Sequence, residues 1–177
     1  MTAPGSLINI GQIEDLCDLA AGTPPGCFVE VGVYKGGSAY FLMAVAVQQG
    51  RKLHLYDTFA GMPFADPEID KEHNIGDFAD TSVEEVRAAV PDAIYHVGVF
   101  PDTFSPIGPI AFVHVDCDQY QSVYDCIDVL WRDMVPGAIM VFDDYEHTSG
   151  ARKAIDDALL PSELQTMPGG QKWVRKP

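Results

Sequence analysis

An apolar run passes directly into a glycine-rich turn in the stretch CFVEVGVYKGGS (residues 27–38). The run itself, residues 27–33, is short and rich in β-branched side chains, which is typical of a buried strand. The glycines that follow open a long apolar helix over residues 36–49, and Gly50 is a good helix stop. This strand–turn–helix unit predicts the first segment of a parallel sheet.

Similar units follow along the rest of the chain. Short apolar runs predict further strands at residues 53–57, 94–99, 110–115 and 138–142. Helical spacing and start signals predict helices at residues 8–20, 81–90, 121–134 and 150–160. Residues 164–167 and 172–175 flank Pro168-Gly169-Gly170 and predict a terminal hairpin. We therefore expect one α/β domain over residues 1–177, with an N-terminal helical segment (1–26) and right-handed crossovers between parallel strands.

The composition is that of an ordinary globular protein. Hydrophobic residues make up 47% and charged residues 21% of the 177 residues, which suffices for one sizeable core. The net charge of −15 argues against nucleic acid or a membrane surface as a partner, because phosphate groups would be repelled. The sequence shows no signal peptide, no membrane-spanning apolar stretch and no CxxC pair, so we expect a reduced, cytoplasmic protein. Cys27 and Cys126 lie in apolar patterns and are expected in the core.

Acidic residues follow four of the five predicted parallel strands. In a parallel sheet, ligands bind outside the carboxyl ends of the strands, so the residues just after each strand are candidates for a site. These residues are Glu30, Gly32, Asp57, Gly98, Asp116, Asp118, Asp143 and Asp144. The chemistry of the protein is therefore expected at this edge of the sheet.

The glycine-rich turn allows a ligand to approach the backbone closely, and the helix behind it offers free N–H groups. It does not match the GxGxxG pattern, because Tyr34 stands where the pyrophosphate of a dinucleotide needs a glycine. A nucleoside without a diphosphate fits better, with an ordinary strand–helix turn as the alternative. Asp57, at the end of the second strand, is placed to accept hydrogen bonds from ribose hydroxyls, with a loop acid or helix cap as its alternative.

Four carboxylates follow two strands that should be adjacent, namely Asp116, Asp118, Asp143 and Asp144. Converging carboxylates without basic neighbours repel one another, and a hard divalent cation with oxygen ligands, such as Mg²⁺, would remove that repulsion. The alternative is that some of these acids cap the helices that follow, as Asp118 could cap the helix near Gln121.

Residues 58–80 show no strong periodicity and carry many acids against a single lysine. Long irregular segments in compact domains are usually functional, so we expect this acidic loop over the site. His54, His96 and His114 fall in strand patterns and are expected in the core. His147 lies in a predicted loop close behind Asp144 and could face a substrate.

These motifs and their neighbours resemble class I S-adenosylmethionine-dependent methyltransferases and, within them, the macrocin O-methyltransferase family. The matching segments are VEVGVYKGGSA, YDTFAGMP, GDFADTSVEEVRAAV, GVFPDTF, FVHVDCDQYQSVYDCIDVLWRDMVPGAIMVFDDY and SGARKAIDDAL. They occur in family order over residues 28–159, and the acid-rich blocks are the most specific of them. The resemblance implies a Rossmann-like, doubly wound α/β domain. Its seven-stranded sheet would be mostly parallel, with a C-terminal antiparallel hairpin and helices on both faces.

The resemblance also implies a function. Family members typically use S-adenosyl-L-methionine and Mg²⁺ to methylate a hydroxyl of a small molecule, often a sugar of a natural product. The metal ligands implied are Asp116, Asp143 and Asp144, and the catalytic residues implied are Asp118, as general base, and Asp116. Residues implied near the methionine part of the cofactor are Glu30, Gly32, Gly36 and Ser38. The other cofactor residues implied are Asp57 at the ribose, Asp77 and Phe78 at the adenine, Thr58 and Asp116.

Three features separate this chain from the family pattern. Ala138 replaces the usual second glycine before the fifth strand, and Gln119 replaces a common leucine after the second acid. The segment before the first strand, residues 1–26, is shorter than in many relatives. A short segment either leaves the acceptor pocket more open or requires a second copy of the chain, in a homo-oligomer, to complete it.

Other functions remain as alternatives. One is a non-catalytic domain that binds S-adenosylmethionine or metal, which the crowded acids disfavour because a non-enzyme has little need of them. Another is a methyltransferase of a different small acceptor, such as a catechol. A nicotinamide-dependent oxidoreductase is disfavoured by Tyr34, which stands at the required glycine position.

Overall fold

A computed structural model describes residues 4–159 and 161–177 of the chain. Its strands are β1 (Cys27–Val31), β2 (Leu53–Asp57), β3 (Ile94–Val97), β4 (Ile110–Val115), β5 (Met134–Phe142), β6 (Gln165–Thr166) and β7 (Lys172–Arg175). Its α-helices are α1 (Ile10–Ala21), α2 (Gly37–Gln48), α3 (Val83–Ala89), α4 (Tyr120–Asp133) and α5 (Ser149–Ala158). Short 3₁₀ turns are found at Asp144–Glu146 and Pro161–Glu163.

The strands form a seven-stranded sheet in the order β3-β2-β1-β4-β5-β7-β6. Strands β1 to β5 run parallel to their neighbours, whereas β7 is antiparallel to β5 and β6 is antiparallel to β7. The chain winds outward in both directions from β1 and β4, which leaves a crevice at their carboxyl ends where such folds bind ligands. The mostly parallel seven-stranded sheet with a terminal antiparallel hairpin is therefore confirmed.

Helices cover both faces of this sheet. Val113 belongs to a core that includes Leu130 of α4 and also takes in buried side chains of α5. The next residue back along β4, Phe112, belongs to a second core with Leu42 of α2 and side chains of α1 and α3. All of β4 is buried, because successive side chains point to opposite faces and both faces are covered. The predicted doubly wound arrangement is confirmed.

Two strands end earlier than the sequence predicts because a glycine turns the backbone. Strand β1 ends at Val31 rather than at residue 33, and Gly32 has a φ of +87°. Strand β3 ends at Val97 rather than at residue 99, and Gly98 has a φ of +138°. Both angles lie in a region that disfavours other residues and ends the extended conformation.

The second half of the chain shows smaller differences. Strand β5 begins at Met134 rather than at residue 138, because Met134 already pairs with Ile110 across a register shift. Helix α5 ends at Ala158, and the predicted end at residue 160 lies outside the described residues. Residues 1–3 of the predicted N-terminal helical segment also lie outside them.

Cys27 and Cys126 are buried free thiols, as expected. Over the described ranges, the helices are all too short or too polar to cross a membrane.

Gly32 is a point of very close contact between the ends of β1 and β4. The Gly32 amide donates to the Tyr56 carbonyl at 3.0 Å, and the Asp116 amide donates to the Val31 carbonyl at 2.9 Å. A Cβ atom added at Gly32 would lie 1.7 Å from the Asp116 carbonyl oxygen. Both the backbone angle and the lack of space therefore require glycine here.

We predict that Gly32→Ala destabilises the protein by about 2–4 kcal/mol, through the left-handed backbone and the clash with Asp116. Gly50→Ala is the matched control, because Gly50 has a φ of +65° but nothing within 4 Å of an added Cβ. The control should lose about 1 kcal/mol. Urea unfolding followed by circular dichroism measures both free energies, and equal losses would contradict the role of the close contact.

Candidate active site

A cavity of about 400 Å³ opens at the carboxyl ends of β1, β2, β4 and β5. The predicted site residues that line it are Gly32, Ser38, Asp57, Thr58, Phe78, Asp116, Asp118, Asp143 and Asp144. The other predicted residues, Glu30, Gly36 and Asp77, lie outside its lining. The fold thus gathers the glycine turn and the acids of three strands around one space.

Asp57 binds the backbone of the glycine turn. Its Oδ2 accepts hydrogen bonds from the amides of Val33 at 2.6 Å and Tyr34 at 2.9 Å. Its Oδ1 accepts from the amide of Phe59 at 2.7 Å. These bonds hold the turn against the end of β2, a role that the sequence analysis did not predict. A carboxylate oxygen accepts more than one bond, so Oδ1 keeps capacity for a ligand hydroxyl.

The same turn is held from its other side by the end of the acidic loop (residues 58–80). The Tyr34 hydroxyl donates to Asp80 at 2.8 Å. The ring of Phe78 packs edge-on against Tyr34, with ring centroids 5.4 Å apart. Asp77 serves the loop itself, since its carboxylate accepts a backbone amide bond from within the loop.

Glu30 and Gly36, two of the predicted cofactor residues, lie in the packed interior. Glu30 pairs with His114 of the neighbouring strand, with Oε1 2.8 Å from Nδ1, and both side chains are fully buried. Glu30 Oε2 and His114 Nε2 have no hydrogen-bond partner among the described residues. Gly36 begins α2 with a φ of +81° and packs against Val86. Both residues therefore shape the packing around the turn rather than the cavity wall.

Three carboxylates converge at the ends of β4 and β5. Asp116, Asp143 and Asp144 each offer an oxygen, and these oxygens lie within 4.8 Å of one another. Burial and the neighbouring Asp143 charge raise the pKa of Asp116 well above its usual range. Burial and the Asp118 charge raise the pKa of Asp144 in the same way. Both shifts arise first from burial and then from the mutual repulsion that the sequence predicts.

This set of donors fits a hard divalent cation. All three groups are carboxylates, the ligand class that Mg²⁺ and Ca²⁺ prefer. Their oxygens are close enough that small side-chain rotations would bring them into one coordination shell. A cation would replace the repulsion between the carboxylates by attraction and favour their ionised forms.

Asp118 lies beside this cluster and does not cap α4. Its backbone is left-handed, with a φ of +59°, and its amide donates to Asp144 Oδ2 at 3.2 Å. Its carbonyl accepts from the Thr148 hydroxyl at 2.9 Å. The first turn of α4 is capped by Asp70, whose Oδ1 accepts from the Tyr120 amide at 2.8 Å. The alternative that Asp118 caps this helix is therefore wrong.

The acidic loop is fastened at the starts of two helices. Asp70 is buried and lies so close to Gly150 that an added Cβ there would be 2.0 Å from Asp70 Oδ1. Glu72 Oε2 accepts from the Ser149 amide at 3.0 Å, at the start of α5. Helix N-termini attract carboxylates because their free amides and their dipoles are positive. The loop therefore packs as an ordered wall beside the cavity.

His73 brings a second type of titratable group to Asp118. Its Nε2 lies 3.4 Å from Asp118 Oδ1, and this contact raises the pKa of His73. The sequence offers no local signal for the pair, because a helix and two strands separate the two residues. His147, which the sequence analysis gave only as a residue that could face a substrate, also lines the cavity.

Two glutamines complete the site, and the sequence analysis assigned neither a role. Gln119 lines the cavity and is 1% exposed, and its Nε2 has no partner in the part of the chain that is described. Gln171 lies on the turn before β7 and is also 1% exposed. Its Nε2 donates to Asp143 Oδ1. The feature that identifies Gln171 as a site residue is its position opposite the end of β5. This position becomes visible only when the pairing of β5 with β7 is known.

The doubly wound, mostly parallel sheet with antiparallel C-terminal strands is the architecture of Rossmann-like methyltransferases. Residues 11–165 match the macrocin-O-methyltransferase (TylF) family model, and the chain belongs to this family. The solved O-methyltransferase NovP superposes with a TM-score of 0.85 at 22% identity, over 97% of this chain and 81% of that one. The calicheamicin methyltransferase CalS11 gives a TM-score of 0.78 at 20% identity, over 95% and 80%.

Two curated relatives come from Streptomyces. The 8-demethyl-8-(2,3-dimethoxy-α-L-rhamnosyl)-tetracenomycin-C 4′-O-methyltransferase of Streptomyces olivaceus is 32% identical over 75% of this chain. The demethyldecarbamoylnovobiocin O-methyltransferase of Streptomyces niveus is 25% identical over 86% of this chain. The matches span 58% and 66% of the lengths of these two relatives.

We predict that Asp118→Asn lowers the pKa of His73, because it removes the negative charge that raises this pKa. NMR titration of the histidine ring signals in metal-free protein measures the change. Asp128→Asn is the control, since Asp128 is an exposed acid paired with Arg132 on α4. A His73 pKa that stays constant in Asp118→Asn would show that the two side chains do not interact in solution.

Proposed function

We propose that the chain acts as an S-adenosylmethionine- and Mg²⁺-dependent O-methyltransferase on a hydroxyl of a sugar or other natural product. One observation carries the proposal: Asp116, Asp143 and Asp144 converge on the same cavity as the glycine turn and Asp57. A cofactor site and a metal site that share one space would hold a methyl donor next to a hydroxyl. The Streptomyces relatives bear the names of O-methyltransferases of tetracenomycin and novobiocin compounds, which supports this class of acceptor.

The cofactor would bind along the glycine turn. Asp57 supports this position, because its Oδ2 holds the turn while Oδ1 can accept a ribose hydroxyl. Phe78 supports a position for the adenine, since its ring lines the cavity next to Tyr34. Other lining residues that would contact the cofactor are Gly32, Ser38, Thr58 and Asp116. Residues that would act indirectly, through packing or loop bonds, are Glu30, Gly36 and Asp77.

Asp118 would act as the general base. Asp116, Asp143 and Asp144 would hold Mg²⁺, which lowers the pKa of a bound hydroxyl, while the sulfonium of the cofactor supplies an activated methyl group. Asp118 would accept the proton of the acceptor hydroxyl at Oδ2, because Oδ1 faces His73.

The cavity wall favours an acceptor with several oxygens. Gln119 Nε2 is a buried donor one residue beyond Asp118, and a buried donor without a partner costs about 1–3 kcal/mol. An oxygen next to the methylated hydroxyl would pair with this amide after a rotation of the Gln119 side chain, because Nε2 is itself buried. Sugars and other vicinal diols offer such an oxygen.

Asp57→Ala should weaken the binding of S-adenosylhomocysteine by about 1–3 kcal/mol, because charged hydrogen bonds to the ligand and to the turn are lost. Asp80→Ala is the matched control, since Asp80 bonds Tyr34 of the same turn from the exposed side. Isothermal titration calorimetry measures both affinities. Equal losses of affinity in the two variants would contradict the proposed contact between Asp57 and the ribose.

Asp143→Ala should abolish Mg²⁺ binding and Mg²⁺-dependent methyl transfer while leaving the binding of S-adenosylhomocysteine intact. The substitution removes one of three ligands and one negative charge from the metal site. Calorimetry with Mg²⁺ and a transfer assay on methyl α-L-rhamnopyranoside and catechol measure the two effects.

Asp128→Ala is the control for Asp143→Ala, since it removes an exposed acid of α4. Unchanged Mg²⁺ affinity in Asp143→Ala would contradict the metal site. Absence of S-adenosylhomocysteine binding by the unaltered protein, with and without Mg²⁺, would contradict the proposed methyltransferase function as a whole.

A further inference from the structure

The turn of the C-terminal hairpin reaches the carboxylate cluster through Gln171. The Gln171 side chain is 1% exposed, and its Nε2 donates a hydrogen bond to Asp143 Oδ1. Its Oε1 is buried without a partner in the described parts of the chain. Burying an amide costs free energy unless it is paired. The hydrogen bond to Asp143 therefore offsets part of the cost of burying the Gln171 amide.

The backbone fixes this contact on both sides. Phe142 of β5 pairs with Lys172 of β7, so the residues just beyond them, Asp143 and Gln171, face each other across the antiparallel pair. The Gln171 carbonyl accepts from the Met167 amide at 2.9 Å, which closes the hairpin turn. The strand register therefore fixes the position of the hydrogen bond between Gln171 and Asp143, which does not depend on a mobile surface side chain.

The turn is also tied to α1. Gln12 Nε2 donates to the Gly169 carbonyl at 3.0 Å, and the Gly169 amide donates to Asp15 Oδ2 at 3.2 Å. These bonds fix the turn that carries Gln171 from the side opposite to β5. The amide is thus held in place before any ligand arrives, which is the condition for orienting a neighbouring group.

A neutral donor suits the ligand Asp143 better than a charged one. The amide occupies Oδ1 and fixes the rotation of the carboxylate, which leaves Oδ2 for a cation. It also adds no positive charge that would repel a cation. Partners of this kind around metal ligands orient them and raise the affinity of the site.

We propose that Gln171 is a positioning residue for the divalent cation, holding Asp143 in the orientation that binds it. This inference rests on the metal site of the proposed function. It assigns to the C-terminal hairpin a role in metal affinity, in addition to closing the edge of the sheet beyond β5.

The experiment is a calorimetric titration of Mg²⁺ into the full chain saturated with S-adenosylhomocysteine. Gln171→Met keeps the length of the side chain and removes its donor, and Gln171→Asn keeps an amide that is one methylene too short to reach Asp143. Gln121→Met is the matched control, because Gln121 Nε2 donates to Asp125 Oδ1 at 2.8 Å on the exposed face of α4. Melting temperature and S-adenosylhomocysteine affinity are measured for every variant.

We expect Mg²⁺ affinity to fall about 10–100-fold in both Gln171 variants and to stay unchanged in Gln121→Met. Affinity for S-adenosylhomocysteine should stay unchanged in all of them. If Gln171→Met does not fold, Gln171→Asn decides the outcome. Unchanged Mg²⁺ affinity in a folded Gln171 variant, or an equal loss of affinity for Mg²⁺ and S-adenosylhomocysteine, would overturn the role of Gln171. Absence of Mg²⁺ binding by the unaltered protein would instead overturn the proposed metal site itself.

Discussion

The contact between Gly32 and the carbonyl of Asp116 brings the two halves of the sheet together where the site forms. The strands β1 and β4 are neighbours from which the chain winds in opposite directions, so their carboxyl ends border the crevice. A side chain at Gly32 would push these ends apart, since its Cβ would lie 1.7 Å from the carbonyl oxygen. The distance from the glycine turn to the carboxylates therefore depends on a residue without a side chain.

The acids of this strongly negative chain fall into two groups with different partners. One group, which includes Asp57, Asp70 and Glu72, accepts hydrogen bonds from backbone amides and holds turns and helix starts in place. The acids of the other group lie close to one another at the ends of β4 and β5. Burial and like charge there raise the pKa of Asp116 and of Asp144. The hydrogen bonds of the first group stabilise the folded chain, whereas the mutual repulsion of the second group destabilises it. This contrast separates acids that bond to backbone amides from acids that repel one another more clearly than their positions in the sequence do.

The sequence is sufficient to predict features that depend on local periodicity. The five parallel strands and the acids at their ends follow from short apolar runs, so Asp116, Asp143 and Asp144 could be placed together before the structure was known. Features that depend on distant pairing could not be predicted. The cap that Asp70 provides for Tyr120, the contact of His73 with Asp118 and the bond from Gln171 to Asp143 join different elements. The roles of Glu30 and Gly36 in packing were also hidden, because sequence position alone does not tell which side of a turn a residue occupies.

The hydrogen bonds that hold the acidic loop against α4 and α5 affect how small molecules reach the cavity. Swinging this loop outward would break the bonds of Asp70 and Glu72 to the starts of α4 and α5, and each lost helix cap costs about 1 kcal/mol. In the wall formed by residues 5–8, Leu7 is 73% exposed, Ile8 is buried, and Ser6 packs against Gly37. A molecule that enters or leaves the cavity on the acidic side would therefore have to wait until the bonds of Asp70 and Glu72 break.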